Sequence, residues 1–399
     1  MHYLFTLMLL VLLTSVPALA QDTAVADANL TDGCVTDFDP QVDYFPDKVE
    51  ITDAQNLAVD YFNHYKVVTV TGSMETYTYV LVQCGTPAPS PDEFPPTTQF
   101  IEVPTGNIVS LSTTFLPGIA QLGLANNVVG LDSTLYTSTP EILERIESGE
   151  IIAVAPNFEL NMEILLETDP SLVMSDDFDP ERMAQIVDAG IATAINTDYL
   201  ETTPLGRAEW LKYVALFYNY EAEAELVYEG VANAYNATRA LTVDIPADER
   251  PIVLWNAISP FSDTWGIPSE STYAGQFITD AGGTIALGDL ADPGTVAYVS
   301  LETVYDGALD ADIWITNLFN VRTVDELLAL EPRYADFAAV QNGSVWNNDL
   351  DVNENGGNNY FELGVTNPHL VLQDLIAILH PDLLPDHEFH FYQPLDPSA

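Results

Sequence analysis

The chain has 399 residues, with 60 Asp or Glu against 10 Lys or Arg and a formal net charge of -50. A field of that sign repels nucleic acid and anionic membrane surfaces, which excludes both as partners and favours a soluble monomer. A hydrophobic fraction of 47% with 10% aromatics excludes a disordered chain, and the length suits two or three compact units.

The first stretch, MHYLFTLMLLVLLTSVPALA, carries a short apolar run ending in Ala-Leu-Ala. It predicts a signal peptide over residues 1–20, cut before Gln21, and the run is too short to span a bilayer comfortably. No cysteine follows the run at once. The expectation is therefore a periplasmic or extracytoplasmic protein that is not a lipoprotein.

Residues 21–100 read as a β-rich extension closed by a Pro-rich linker. KVVTVTG (66–72) and TYTYVLVQCG (76–85) are β-branched and aromatic runs across a short Gly/Ser turn, which predicts a hairpin. TPAPSPDEFPPTT reads as a semi-rigid spacer. Cys34 and Cys84 both lie in this extension, and in an exported chain they predict one disulfide, with a two-thiol metal site as the lesser alternative.

From 101 to 203 short apolar strands alternate with amphipathic helices: IVSLS, VVGLD, IIAVA, LVMSDD and IATAI are separated by FLPGIAQLG, TPEILERIESG, NMEILLETD and PERMAQIVDAG. That alternation means a parallel sheet wrapped by helices. It stops over 204–245, where GRAEWLKYVALFYN and EAEAELVYEGVANAYNATRAL predict two successive helices broken near Asn219. It resumes over 246–399 with PIVLWNA, DIWITN and GSVWNND as strands, and STYAGQFITDAGG, TVDELLAL and NPHLVLQDLIAIL as helices. The predicted fold class is α/β: two parallel-sheet lobes joined by a long helix, with an N-terminal β-rich extension.

Over about 101–385 the pieces NIVSLSTTFLPGIAQLGLANNVVGLD, NMEILLETDPSLVMS, PLGRAEWLKYVALF and YVSLETVYDGALDADIWIT occur in this order after a signal peptide. In that combination the chain resembles the substrate-binding proteins of ABC importers for iron-siderophores and cobalamin. The resemblance implies a ligand held between two lobes, no catalysis, no resident cofactor, and docking onto a membrane permease. It also implies that Glu163 in NMEILL and Glu302 in VSLETVYDG are the docking carboxylates. Helix-start acids of this kind are stabilised by the helix dipole and free to meet an arginine. The long extension and the scarcity of basic residues depart from the family pattern.

Ligands of open α/β sheets bind beyond the carboxyl ends of the strands. Those ends and the adjoining loops place Thr113, Thr114, Tyr136, Asp177, Phe178, Trp255, Trp265, Tyr273, Asn317, Arg322 and Trp346 as candidate ligand contacts. Flat aromatics among amides suit a bulky organic or metal-chelate ligand. A tricatecholate complex would need several free arginines; few exist and Arg322 is the best placed, so a hydroxamate siderophore or a corrinoid is expected.

DVNENGGNNYFE, Asp351 to Glu362, fits the twelve-residue calcium-loop pattern at its specified positions. A calcium hand needs a helix on each side, whereas a β-type run precedes this loop and Asn358 holds the usual apolar position. It reads instead as a cleft-edge loop with Asn359 and Tyr360 within reach of ligand. Two rival functions find less support in the residues. A free zinc or manganese carrier needs three or four converging ligands, and His380, His387 and His390 cluster only at the tail. A carboxylate-dependent hydrolase finds no supporting motif.

Overall fold

The structure is a computed structural model that describes residues 24–259 and 262–397. The expected signal segment lies outside the described residues. Two short parallel strands, β1 (Ala24–Val25) and β2 (Val42–Asp43), begin it. The two β-branched runs form the expected hairpin of β4 (Tyr65–Thr71) and β5 (Thr76–Gln83), and a preceding strand that was not expected, β3 (Leu57–Tyr61), pairs with β4 to make an antiparallel meander. Cys34 and Cys84 are joined as a disulfide. The proline-rich spacer runs straight into a strand that the sequence reading missed, β6 (Gln99–Val103), which lies parallel to β5 and completes a four-stranded sheet. Its five residues abut the spacer, too few to register as a run of their own.

The first α/β unit contains β7 (Ile108–Ser110), α1 (Leu116–Gln121), β8 (Val128–Leu131), α2 (Pro140–Glu147), β9 (Ile152–Ala153), α3 (Met162–Glu167), β10 (Leu172–Ser175), α4 (Pro180–Asp188) and β11 (Ala192–Ile195). Its strands are all parallel, in the order β11-β10-β7-β8-β9. β7 and β10 are buried at every residue, as a sheet covered on both faces requires.

Three helices follow: α5 (Pro204–Ala208), α6 (Leu211–Leu216) and α7 (Glu221–Arg239). The 19 residues of α7 reach about 28 Å at 1.5 Å per residue. Asn219 breaks the chain between α6 and α7 with a φ of 59°, a left-handed conformation that Asn tolerates better than most side chains.

The second α/β unit holds β12 (Ile252–Trp255), β13 (Trp265–Pro268), α8 (Tyr273–Asp280), β14 (Thr284–Ile285), β15 (Val296–Val299), α9 (Leu301–Ala308), β16 (Ile313–Thr316) and α10 (Val324–Leu330). It ends with α11 (Ala338–Gln341), β17 (Val345–Asn347), α12 (Leu363–Thr366), α13 (Pro368–Leu379) and β18 (Gln393–Pro394). The sheet order is β14-β12-β16-β17-β18, parallel except for the last strand. β13 and β15 form a separate antiparallel pair.

One apolar core joins the extension (Phe45, Val68, Tyr79), the first sheet (Ile108, Leu131, Met174) and the interlobe helices (Tyr213, Phe217, Tyr228). A second surrounds Trp265, Trp314, Phe277 and Leu375. Two of the chain's three lysines are buried where the extension meets the helices. Lys66 Nζ lies 2.6 Å from Glu221 with both side chains fully buried, and Lys212 lies 2.9 Å from Glu209. Glu209 in turn accepts the backbone N–H groups of Thr52, Asp53 and Ala54.

Candidate ligand cleft

The turns that leave the parallel strands converge where the two lobes face each other. A cavity of about 300 Å³ lies over the carboxyl ends of β7 and β8, lined by Ser110, Ser112, Thr113, Asp132, Ser133 and Tyr136. A second of about 320 Å³ shares Thr113 and Tyr136 and is closed from the other lobe by Asn317, Phe319, Arg322, Asp349, Asn358 and Phe361. Each lies near the lower end of the roughly 300–1,000 Å³ typical of organic-ligand sites.

Aromatic faces are exposed around this space. Phe158 is 75% and Phe319 71% exposed, and Tyr136 stacks on Phe158 with ring centroids 6.4 Å apart. The cations at hand are already paired: Arg322 sits 3.6 Å from Asp349, and Arg182 is hydrogen-bonded to Asp132.

Of the side chains named from sequence, Thr113, Tyr136, Asn317 and Arg322 meet here. The others go elsewhere. Thr114 turns into a narrow crevice against Arg207 and Asp198. Asp177 accepts from the N–H and hydroxyl of Ser73, at the turn between β4 and β5, and from Tyr199. Burial raises its carboxyl, but the Tyr199 and Ser73 hydrogen bonds outweigh that and hold it below the usual range. Phe178 is exposed against the Tyr199 ring, outside both cavities.

Trp265 is a correction. It stands on β13, outside the main sheet, and is fully buried against Trp314, with its indole N–H donating to the Trp255 carbonyl. Trp255 is half-buried against that same core. Tyr273 lies under the Arg207 guanidinium, 5.1 Å from its ring centre. Trp346 packs on Phe389. Tyr360 is buried among Phe361, Phe391 and Tyr392, and Asn359 is buried and hydrogen-bonded to Asp351. Trp265 and Tyr360 go fully into the core of the second lobe, where a large ring buries more area than at an open cleft.

The loop from Asp351 to Glu362 bridges the lobes, and the side-chain oxygens of Asp351, Asn353 and Glu362 are already committed. Asp351 accepts from Asn359. Asn353 accepts from Asn355 and Gly357 and donates to the carbonyls of Leu135 and Thr137 across the cleft. Glu362, 2% exposed, takes the N–H groups of Ser138 and Thr139 and the hydroxyls of Thr137 and Thr139 at the start of α2. Burial pushes its carboxyl above the usual range, against the pull of those donors. Gly357 is required: a Cβ there would lie 1.9 Å from the Tyr136 carbonyl oxygen.

Sequence reasoning missed the bridging role of Glu362, the lining roles of Asp132 and Phe361, and the stacking of Phe158 on Tyr136. Asp132 closes the run VVGLD and Phe158 lies just beyond IIAVA, so the carboxyl-end rule marks both.

A family model described as "Periplasmic binding protein" matches residues 108–349. The chain belongs to the periplasmic binding protein family. Members are solute-binding proteins that work with ABC permeases, and they are not enzymes. Two uncharacterized lipoproteins of Methanocaldococcus jannaschii are similar to this binding protein. One is 26% identical over 303 residues, covering 73% of this chain and 69% of the relative; the other is 24% identical over 326, covering 79% of each. Their description overturns the expectation that the chain is not a lipoprotein.

Among solved structures, the periplasmic heme-binding protein of Vibrio cholerae aligns with a TM-score of 0.52 at 19% identity, over 68% of this chain and 98% of its own. One from Pseudomonas aeruginosa aligns with a TM-score of 0.54 at 15% identity, over 74% and 99%. These likenesses are of fold.

Proposed function

We propose that this binding protein captures a large, weakly charged metal chelate between its lobes and delivers it to an ABC permease. The carrying observation is the cleft lining: exposed aromatic faces and amides, with Arg322 already paired to Asp349. A polyanionic tricatecholate complex calls for unpaired arginines. A flat macrocycle or a compact hydroxamate chelate needs aromatic area and a few amides. The fold relatives described as heme-binding add a haem to the ferric hydroxamate and the corrinoid as candidates. A bare-ion carrier fits less well, because neither cavity is lined by a histidine.

The test is a titration of cobalamin, hemin, a ferric hydroxamate and a ferric tricatecholate, followed by tryptophan fluorescence and calorimetry. One of the first three is expected to bind tightly, with Tyr136→Ala and Phe319→Ala each weakening it by about tenfold, or ~1.4 kcal/mol. Selective, tight binding of the tricatecholate complex would overturn the reading.

Glu163 and Glu302 are proposed as the permease contacts. Each is exposed at the second position of its helix, behind a capping side chain: Asn161 accepts from the N–H of Glu163, and Ser300 from that of Thr303. Glu302 also meets Arg333 at 3.2 Å, a pair exposed enough to exchange for a permease arginine. Glu163→Arg combined with Glu302→Arg is expected to abolish stimulation of the permease ATPase in proteoliposomes while chelate binding stays unchanged. Undiminished stimulation would remove both residues from the docking surface.

A further inference from the structure

We propose that Asp374, His387 and His390 form a second binding site, for a divalent transition-metal ion of the zinc class, that fastens the C-terminal strap to the second lobe. Asp374 lies within α13, on a helix otherwise dominated by buried apolar residues, and its side chain is fully buried. A lone carboxylate in such a place needs a charged or strongly donating partner.

Its two oxygens have different surroundings. Oδ2 accepts the backbone N–H groups of His390, Phe391 and Tyr392 at 3.1, 2.7 and 3.2 Å. Oδ1 faces two imidazoles: Nε2 of His387 at 2.7 Å and Nδ1 of His390 at 3.4 Å. It also lies 3.1 Å from the His390 N–H. The backbone donors saturate Oδ2, whereas Oδ1 has only the His390 N–H, shared with Oδ2, and is the atom on which both imidazoles converge.

The three ligand atoms lie within 4.8 Å of one another. Zinc bonds of ~2.0–2.2 Å in tetrahedral array set neighbouring ligand atoms roughly 3.3 Å apart. The His390 distance matches, and His387 has to withdraw by a few tenths of an ångström. Two imidazoles and one carboxylate oxygen form a zinc donor set, with water in the fourth position. The His390 side chain is 40% exposed and that of His387 9%, which leaves a path from solvent. The backbone N–H groups on Oδ2 fix the carboxylate's orientation, as outer-shell partners do in metal sites.

The strap so fastened runs on to the cleft wall. Gln393 pairs with Asn347 in the sheet and donates to Asp349, and the N–H of Asp396 donates to the Arg322 carbonyl. An ion at Asp374 is therefore a resident clamp, separate from any cargo in the cleft.

The test uses the full chain, stripped with chelator and titrated with Zn²⁺ by calorimetry and with Co²⁺ by visible absorption. One equivalent is expected to bind, with a rise in Tm and a four-coordinate Co²⁺ spectrum. His390→Ala and His387→Ala are each expected to weaken Zn²⁺ binding by about a hundredfold or more, at or above the upper end of what outer-shell changes cost. Both variants retain the backbone donors to Asp374 and are expected to keep the wild-type circular dichroism. His64→Ala, remote from the site, is expected to bind as the wild type does. Absence of stoichiometric binding at millimolar Zn²⁺, or binding that persists in the double histidine variant, would overturn the proposal.

Discussion

Lys66→Met is expected to destabilise the protein by about 3–5 kcal/mol, the cost of leaving a buried ion without its partner. The Lys66 ammonium donates to the Leu216 carbonyl at 2.6 Å, to Asn219 Oδ1 at 2.9 Å and to Glu221 Oε1 at 2.6 Å, with the Phe45 ring 4.7 Å away. Burial drives its pKa down, and Glu221 restores part of the loss. Removing the ammonium strands a carboxylate whose other close donor is Asn29, at 2.8 Å.

Replacing both partners, as Lys66→Met with Glu221→Leu, is expected to recover more than half of the loss, because an apolar pair escapes the desolvation of two charges. Urea unfolding at constant m-value is the measurement. A loss below about 1 kcal/mol for the single variant would place the pair among exposed ones. Because the extension and interlobe helices share one core, the whole first lobe is expected to unfold in the same transition.

Glu362→Ala is expected to cost about 2–4 kcal/mol, since a buried donor left without an acceptor costs roughly 1–3 kcal/mol and water enters as the lobes part. The loss falls on the closed arrangement. Amide exchange at Ser138 and Thr139, whose N–H groups Glu362 accepts, should accelerate more than exchange elsewhere in α2.

The pH dependence has a definite sign. Burial raises the Glu362 carboxyl above its unfolded value, so the native state binds that proton more tightly. The resulting stability is fully present below the unfolded value and is lost as pH rises through the raised folded one. The gap in stability between wild type and Glu362→Ala should therefore narrow with rising pH in that window. A gap that widens there would contradict the raised carboxyl.

Local pattern carried much of this fold. The hairpin of β4 and β5, the strand–helix alternation and the break at Asn219 follow from β-branched runs, helical periodicity and a residue that tolerates positive φ. The strand-end rule also reached Thr113, Tyr136, Asn317 and Arg322, because parallel strands deliver their carboxyl ends to one side of a sheet. Trp265, expected in or beside a cleft loop, instead stands on β13, which leaves the main sheet and packs that indole against Trp314. Neither β13 nor β15 is longer than four residues, too short for alternation to declare their pairing.

The sequence by itself determined two parallel-sheet lobes, the helices between them and a strongly acidic chain. Only the tertiary structure decided which side chains face the gap: Ser73 claims Asp177, Glu362 closes onto residues 223–225 positions away, and two histidines meet Asp374. The physical reason is range. Periodicity records which face of its own element a residue occupies, whereas a polar contact across lobes depends on the relative placement of whole elements, which packing of the assembled cores sets.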